Sequence, residues 1–117
     1  MSTKELLEYC LAKQGAYIDF PFGNDYPVVK VKSERNDKAR IFAEFYILDG
    51  KDIFTFSTDA DNALTLRMEY EGSITRGWHC PPVQARYKST AYIADVPDEL
   101  LLKLADISYE RTIDKLK

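Results

Sequence analysis

The pattern of apolar and polar positions begins with a helix. Ser2 followed by Glu5 forms a capping box, a pairing in which two side chains satisfy free backbone N–H groups at a helix start. Apolar residues then recur at helical spacing, which predicts a first helix over residues 3–13. Gly15 ends this helix, because glycine tolerates the left-handed conformation of a helix C-terminus.

The following segments alternate with the period of a β-strand. Residues 29–32 alternate valine with lysine, and residues 40–48 place apolar side chains on every second position, so both stretches predict strands. Asp49-Gly50 predicts a two-residue hairpin turn, because both of its positions must accept a positive φ. Residues 53–57 are the returning strand.

The second half of the chain predicts two more helices and two more strands. A helix over residues 60–68, capped at its start by Thr58 or Asp59, ends at Gly72. Residues 74–79 and 89–94 are β-like and flank tandem prolines that cannot donate ladder hydrogen bonds. The last helix opens at Val96-Pro97-Asp98-Glu99, with proline in its first turn and acids at its positive end, and runs to the terminus.

This order, αβββαββα, predicts an α+β fold: one two-layer domain over residues 1–117, with helices packed on an antiparallel sheet. The composition agrees, since 45% of the 117 residues are hydrophobic and 30% are charged. Eight Tyr, six Phe and one Trp supply a core without disulfides or metal. These proportions exclude collagen, a coiled coil and a disordered tail.

The sequence also restricts location and cofactors. The longest apolar runs have four residues, far fewer than the roughly 20 that cross a bilayer, so we expect no membrane partner. The amino terminus lacks an apolar stretch, and Cys10 and Cys80 are too few for a disulfide framework, which favours reduced thiols in a cytoplasm. Zinc, calcium, nucleotide and hydrolase motifs are missing, so we expect no metal, no cofactor and no catalytic residue.

The net charge of −3, with a pI near 5.2, is unevenly distributed. Residues 28–40, with a wholly polar loop at 33–38, carry five cations and two acids. Residues 73–94 carry three cations and no acid, so each stretch has a net charge of +3 and the remainder has −9. Both basic stretches lie on predicted β-hairpin arms.

Basic arms with interleaved aromatic residues are typical of nucleic-acid binding, because cations neutralise phosphates and aromatic rings stack on bases. The alternative is a solvated face that discourages edge-to-edge pairing of strands. The candidate phosphate contacts are Lys30, Lys32, Arg35, Lys38, Arg40, Arg76, Arg86 and Lys88, with Trp78 or Tyr87 near bases.

The run Arg76-Gly77-Trp78-His79-Cys80-Pro81-Pro82 is the most unusual in the chain. His79 is the sole histidine, and a histidine beside a cysteine can act as base and nucleophile. On a strand, however, adjacent side chains point to opposite faces, so we expect Cys80 to be a buried apolar thiol. Trp78 fills the edge of the core in one interpretation and stacks on a base in the other.

Several motifs in the same order resemble the MmcQ/YjbR family, over residues 5 to 116. They are Glu8-Tyr9-Cys10-Leu11-Ala12-Lys13, Gly15-Ala16-Tyr17, Phe20-Pro21-Phe22-Gly23, Arg76-Gly77-Trp78-His79, Val96-Pro97-Asp98-Glu99-Leu100 and Ser108-Tyr109. The chain departs from the family in Lys88-Ser89, where a Trp-Asn pair is usual, and in a longer first arm.

The resemblance implies a small bacterial α+β domain, similar in fold to secretion chaperones and to CyaY, and described as a predicted DNA-binding protein with a double-wing motif. The two wings correspond to the two basic arms. We therefore expect a non-enzymatic protein that binds DNA through these arms. Two alternatives stay open: a protein-interaction or chaperone-like module, and an enzyme that uses Cys80 or His79.

Overall fold

The computed structural model describes residues 1–35 and 37–117 and has a single six-stranded antiparallel sheet with strand order β1-β2-β3-β4-β6-β5. The strands are β1 (Ala16–Asp19), β2 (Val28–Lys32), β3 (Ala39–Leu48), β4 (Lys51–Ser57), β5 (Ile74–Arg76) and β6 (Lys88–Tyr92). The helices are α1 (Thr3–Leu11), α2 (Ala60–Glu69), α3 (Pro82–Ala85) and α4 (Asp98–Leu116), with a 3₁₀ turn at Ile93–Asp95. The predicted α+β class and antiparallel sheet are confirmed.

Local signals place the first helix and the central hairpin. The Ser2 side chain accepts a hydrogen bond from the Glu5 backbone N–H at 3.1 Å, and the Glu5 carboxylate accepts one from the Ser2 backbone N–H at 3.0 Å, which is the predicted capping box. The turn between β3 and β4 has φ of 51° at Asp49 and 77° at Gly50, as the hairpin signal requires.

The core lies between one face of the sheet and the helices α1 and α4. Phe45 of β3 and Phe54 of β4 are opposite each other in the register and stack with ring centroids 5.4 Å apart. Leu101 and Leu104 of α4 are buried against this layer. Ser108 fixes α4 in place, because its buried hydroxyl donates to the carbonyl of Phe42 at 2.5 Å.

The strict alternation predicted for residues 40–48 is interrupted at Phe42. Val29 of β2 lies opposite Ala43, but the next residue, Lys30, lies opposite Ile41, so β3 holds one extra residue there. Such a bulge twists the strand and lets two consecutive side chains face the same side. Phe42 and Ala43 are accordingly both buried in the core.

Several elements differ from the sequence prediction. Residues 16–19 form an additional edge strand, and residues 82–85 after the first tandem proline form the short helix α3. The β-like segment 74–79 ends as a strand at Arg76, because residues 77–80 turn away from the sheet. The segment 89–94 is a strand only to Tyr92.

The loop predicted at 33–38 is closed by a hydrogen bond from the backbone N–H of Ser33 to the carbonyl of Lys38, at 2.9 Å. Asn36, within this predicted loop, lies outside the described residues. In the part of the chain that the structure describes, no helix has both the length and the apolar character needed to cross a membrane.

Candidate functional site

The first basic segment is partly neutralised by ion pairs. The ammonium group of Lys30 lies 2.6 Å from the carboxylate of Asp19, and this hydrogen bond raises the pKa of the lysine. The ammonium group of Lys32 lies 3.4 Å from the carboxylate of Asp37. Asp19 belongs to the unpredicted strand β1, so the pairing of Lys30 could not be foreseen from the charge count.

The other predicted cations occupy different positions. Arg35 and Lys38 lie in the β2–β3 loop, and Arg40 lies at the exposed start of β3. Arg76 donates a hydrogen bond from Nη2 to the carbonyl of Cys80 at 2.8 Å, which fixes the turn after β5. The predicted cations therefore have different local partners, and these contacts do not link all eight of them to one another.

A smaller group of cations surrounds the ring of Tyr87, which precedes β6. The guanidinium carbon of Arg111 lies 4.8 Å from the ring centroid, the ammonium of Lys115 lies 5.5 Å away, and the guanidinium carbon of Arg86 lies 5.7 Å away. Distances below about 6 Å allow cation–π attraction. Two of these three residues come from the last turns of α4, outside both basic segments.

The pKa of Lys115 is lowered, first by partial burial and then by the positive charges of Arg111, Arg40 and Lys88. The charges of Arg40 and Lys88 therefore act on Lys115, one of the three cations around Tyr87. We call this set the Tyr87 cluster. Its members are Arg40, Arg86, Lys88, Arg111 and Lys115.

The Tyr87 cluster keeps an excess of positive charge. Lys88 is paired with Glu44 at 3.4 Å, and Asp59 and Asp114 border the depression that Arg111 and Lys115 line. Within residues 1–35 and 37–117, the other four members of the cluster form no ion pair within 4.0 Å. Four unpaired cations therefore stand beside two carboxylates.

A cleft of about 610 Å³ opens on the sheet face opposite the core, and Lys88 is the cluster member that lines it. Aromatic rings form its walls. The ring of Tyr46 lies 5.0 Å from that of Trp78, 5.7 Å from that of Tyr26 and 6.3 Å from that of Phe22, measured between centroids. Phe22 is 54% exposed, so these rings border an open space and are not part of the packed core.

A carboxylate lies at the floor of this cleft. The Glu44 side chain is 11% exposed and accepts hydrogen bonds from the Tyr46 hydroxyl at 2.9 Å and from the Lys88 ammonium at 3.4 Å. Burial raises the pKa of Tyr46, and the neighbouring Glu44 charge raises it further, so the hydroxyl stays a donor. Lys88 thus belongs both to the cleft and to the Tyr87 cluster.

The turn after β5 builds the wall that carries Trp78. The backbone N–H of Trp78 donates to the hydroxyl of Thr90 at 2.9 Å, and the backbone N–H of Gly77 donates to the carbonyl of Lys88 at 3.0 Å. A Cβ on Gly77 would lie 2.7 Å from the sulfur of Cys80, so only glycine allows the turn to fold this closely.

The structure corrects two expectations for this turn: His79 lies outside the strand predicted over 74–79, which ends at Arg76, and Cys80 is half-buried instead of fully buried. Both residues lie in the turn, His79 has a φ of 55°, and both line the cleft instead of pointing to opposite faces of a strand. Burial raises the pKa of the Cys80 thiol, so this sulfur is a protonated thiol near neutral pH. Trp78 is half-buried in the wall of the cleft. This position is intermediate between the two predicted ones, the edge of the core and an exposed ring that stacks on a base.

The sequence interpretation missed four residues of this region. Glu44 is an acid within an otherwise apolar strand, which is a signal that could have identified it. Arg111 and Lys115 are spaced i, i+4 on α4, but their meeting with Tyr87 depends on the fold. The guanidinium of Arg67 is partly buried and donates to the hydroxyl of Ser89 at 3.1 Å and to the carbonyls of Ala85, at 2.6 Å, and Lys88.

Metal-binding side chains do not gather anywhere in the described residues, since no group of three or more His, Cys, Asp or Glu lies close enough together to hold an ion.

The chain belongs to the YjbR family, since the YjbR family model matches residues 11–111. This confirms the resemblance drawn from the motifs. A crystal structure of a Deinococcus radiodurans protein with a DUF419 domain is similar, with a TM-score of 0.80 and 23% identity over 98% of this chain and 87% of that chain. A Pseudomonas syringae protein is similar with a TM-score of 0.74 and 18% identity over 96% and 99%. These likenesses show the fold. No curated protein matches the chain in sequence.

Proposed function

We propose that this YjbR-family protein is a non-enzymatic nucleic-acid-binding domain, and that the Tyr87 cluster is its phosphate-contacting surface. The observation that supports it is the meeting of Arg86, Arg111 and Lys115 around one tyrosine ring. The charge of Arg40 also acts on Lys115. Arg40 comes from the first basic segment and Arg86 from the second, and α4 adds two cations that neither segment contains.

Fewer of the predicted cations are assigned to phosphate contacts. Lys30 and Lys32 are paired with carboxylates, and Arg76 is engaged by a carbonyl, so these three cations have less to offer a phosphate. In contrast, Arg40, Arg86, Arg111 and Lys115 gain a counter-ion when a phosphate approaches. Partial burial together with three positive neighbours also destabilises the charged form of Lys115, and a phosphate would relieve that repulsion.

The expected dependence of the affinity on salt concentration follows from the number of unpaired cations. If four phosphates are neutralised, the logarithm of the affinity for a single strand falls with the logarithm of the salt concentration at a slope of about −3. Raising the salt from 50 to 200 mM should then weaken binding by about 60-fold. A net charge of −3 for the whole chain makes binding at a place other than a local basic surface unfavourable.

Binding of a fluorescein-labelled single-stranded 20-mer, measured by fluorescence anisotropy across that salt range, tests the proposal. We expect the double variant Arg111→Glu and Lys115→Glu to lose at least about tenfold in affinity at 50 mM salt and to flatten the slope. The control is Lys103→Glu, which reverses one charge where the double variant reverses two, at an exposed position about 12 Å from Arg111 along the same helix.

The proposal fails if the wild-type affinity does not depend on salt. It also fails if Lys103→Glu and the double variant lose equal affinity per charge changed, because binding would then follow net charge and not the Tyr87 cluster. Circular dichroism of each variant establishes that α4 remains folded.

A further inference from the structure

The cleft that Lys88 links to the Tyr87 cluster has the features of a ligand pocket. It combines aromatic walls, a buried carboxylate and a volume of about 610 Å³, which falls within the range of roughly 300–1,000 Å³ of small-molecule sites. We propose that it binds a single nucleobase that presents two adjacent N–H donors, as guanine does, while the attached phosphate lies on the Tyr87 cluster. This inference rests on the proposed function, which it extends to a ligand class.

The cleft offers aromatic faces on which a flat ring can stack. Tyr46 and Trp78 are in contact with each other, with centroids 5.0 Å apart and planes tilted by 56°, so a base would stack on an exposed ring face and not between these two rings. Phe22 and Tyr26, which also line the cleft, are more than one-third exposed. Stacking on an aromatic side chain contributes about 1–3 kcal/mol per base and does not depend on which base it is. The aromatic walls therefore explain why a base would enter but not which base.

The Glu44 carboxylate at the floor of the cleft determines which base is preferred. A carboxylate has about four lone-pair sites, and two partners, the Tyr46 hydroxyl and the Lys88 ammonium, are already bound to Glu44. The remaining sites accept a pair of donors. Guanine offers N1–H and the exocyclic N2–H side by side. Adenine places the ring acceptor N1 beside its amino donor, and uracil places carbonyl oxygens on both sides of its N3–H, so an acceptor of either base would face the carboxylate.

The surrounding charge argues against a cationic ligand, the other class that an aromatic cleft with a carboxylate could take. Lys88 already lies against one oxygen of Glu44, and the charges of Arg40 and Lys88 both act on the neighbouring Lys115. A second cation would be repelled by these groups. An aromatic ligand with an anionic phosphate is complementary both to the Glu44 carboxylate at the floor of the cleft and to the cations of the Tyr87 cluster.

Trp78 allows a direct test, because it is the sole tryptophan of the chain and forms a wall of the cleft. Its fluorescence is titrated with GMP, AMP and UMP, and with guanosine, which lacks a phosphate. We expect GMP to bind at least about tenfold more tightly than AMP or UMP, since a bidentate pair discriminates by about that factor or more. Glu44→Gln should weaken GMP about tenfold and leave AMP unchanged, because glutamine offers only one acceptor atom.

The outcomes separate this inference from the proposed function. Equal affinity for GMP and AMP, or unchanged selectivity in Glu44→Gln, overturns the pocket even when the 20-mer binds with the expected salt slope. Selective GMP and guanosine binding without any affinity for the 20-mer supports the pocket and overturns the proposed function.

A second variant tests the pocket in case Glu44→Gln does not fold. Arg111→Glu with Lys115→Glu leaves the floor intact, so we expect it to weaken GMP and to leave guanosine unchanged. A loss of guanosine binding in that variant would contradict the division of the site into a base pocket and a phosphate surface.

Discussion

Substitution of Thr90 by valine should reveal how the sheet holds the wall of the cleft. The Thr90 hydroxyl is 2.7 Å from the hydroxyl of Thr55 on β4 and accepts the backbone N–H of Trp78 at 2.9 Å. Both threonines are about 1% exposed, so water cannot replace a missing partner there. Valine preserves the shape of the side chain and removes only the hydrogen-bonding group.

The expected loss in the free energy of unfolding follows from the groups that each variant leaves without a hydrogen-bond partner. Thr90→Val leaves both the Trp78 N–H and the Thr55 hydroxyl unsatisfied, at about 1–3 kcal/mol for each buried group, and so we expect a loss of about 2–4 kcal/mol in the free energy of unfolding. Thr55→Val breaks only the bond between the two hydroxyls and leaves Trp78 anchored, so its loss should be about 1–2 kcal/mol.

Urea unfolding followed by far-UV circular dichroism measures both variants. With a slope of about 2 kcal/mol/M, Thr90→Val should lower the midpoint by about 1–2 M and Thr55→Val by about half as much. The emission of Trp78 should shift in Thr90→Val alone, because only that variant releases the backbone of Trp78. A loss in Thr55→Val equal to or greater than that in Thr90→Val would show that the bond from Trp78 to the Thr90 hydroxyl does not stabilise the fold.

Three further predictions concern backbone geometry and titration. Gly77→Ala should lower the free energy of unfolding by about 1–3 kcal/mol, because the added Cβ would lie 2.7 Å from the Cys80 sulfur and 3.1 Å from the carbonyl of Lys88. Gly50→Ala should lower it by about 1 kcal/mol, measured by thermal unfolding, because its φ of 77° strains a side chain although the space around it is open. Burial raises the pKa of Cys10 to about 12, so the unfolded chain releases this proton first and stability should fall from about pH 9 to pH 12, by at most about 1.4 kcal/mol per pH unit.

Each of these predictions has a matched comparison. Cys80→Ala should restore only part of the stability of Gly77→Ala, since the backbone contact with Lys88 remains, and full restoration would contradict the assigned geometry. Gly50→Asn should be milder than Gly50→Ala, because asparagine tolerates a positive φ. The variant Cys10→Ala should lose less stability per pH unit above pH 9 than the wild type does. If both lose stability equally steeply, the loss comes from other titrating groups.

The elements that could be predicted from the sequence depend on neighbouring residues. The capping box at Ser2 and the Asp49-Gly50 turn are complete within four residues of chain, and both form as expected. The strand β1 could not be predicted, because four residues at a sheet edge owe their conformation to pairing with β2.

The candidate site depended on contacts between distant parts of the chain. The pair of Glu44 and Lys88 joins residues 44 positions apart, and the approach of Arg111 to Tyr87 requires knowing where α4 crosses the sheet. A charge count could therefore locate basic segments but not determine which cations meet. The protein-interaction alternative stays a prediction.

Mapping a bound strand on the protein shows directly whether the Tyr87 cluster contacts nucleic acid. Two-dimensional ¹H–¹⁵N NMR spectra of the labelled protein, titrated with an unlabelled single-stranded 10-mer at 50 mM salt, report contacts residue by residue. We expect the largest shifts at Arg40, at residues 86–88, and at Arg111 and Lys115, and we expect them to disappear at high salt. Shifts confined to the β1 edge or to the β2–β3 loop, or spectra unchanged by the 10-mer, would contradict this expectation.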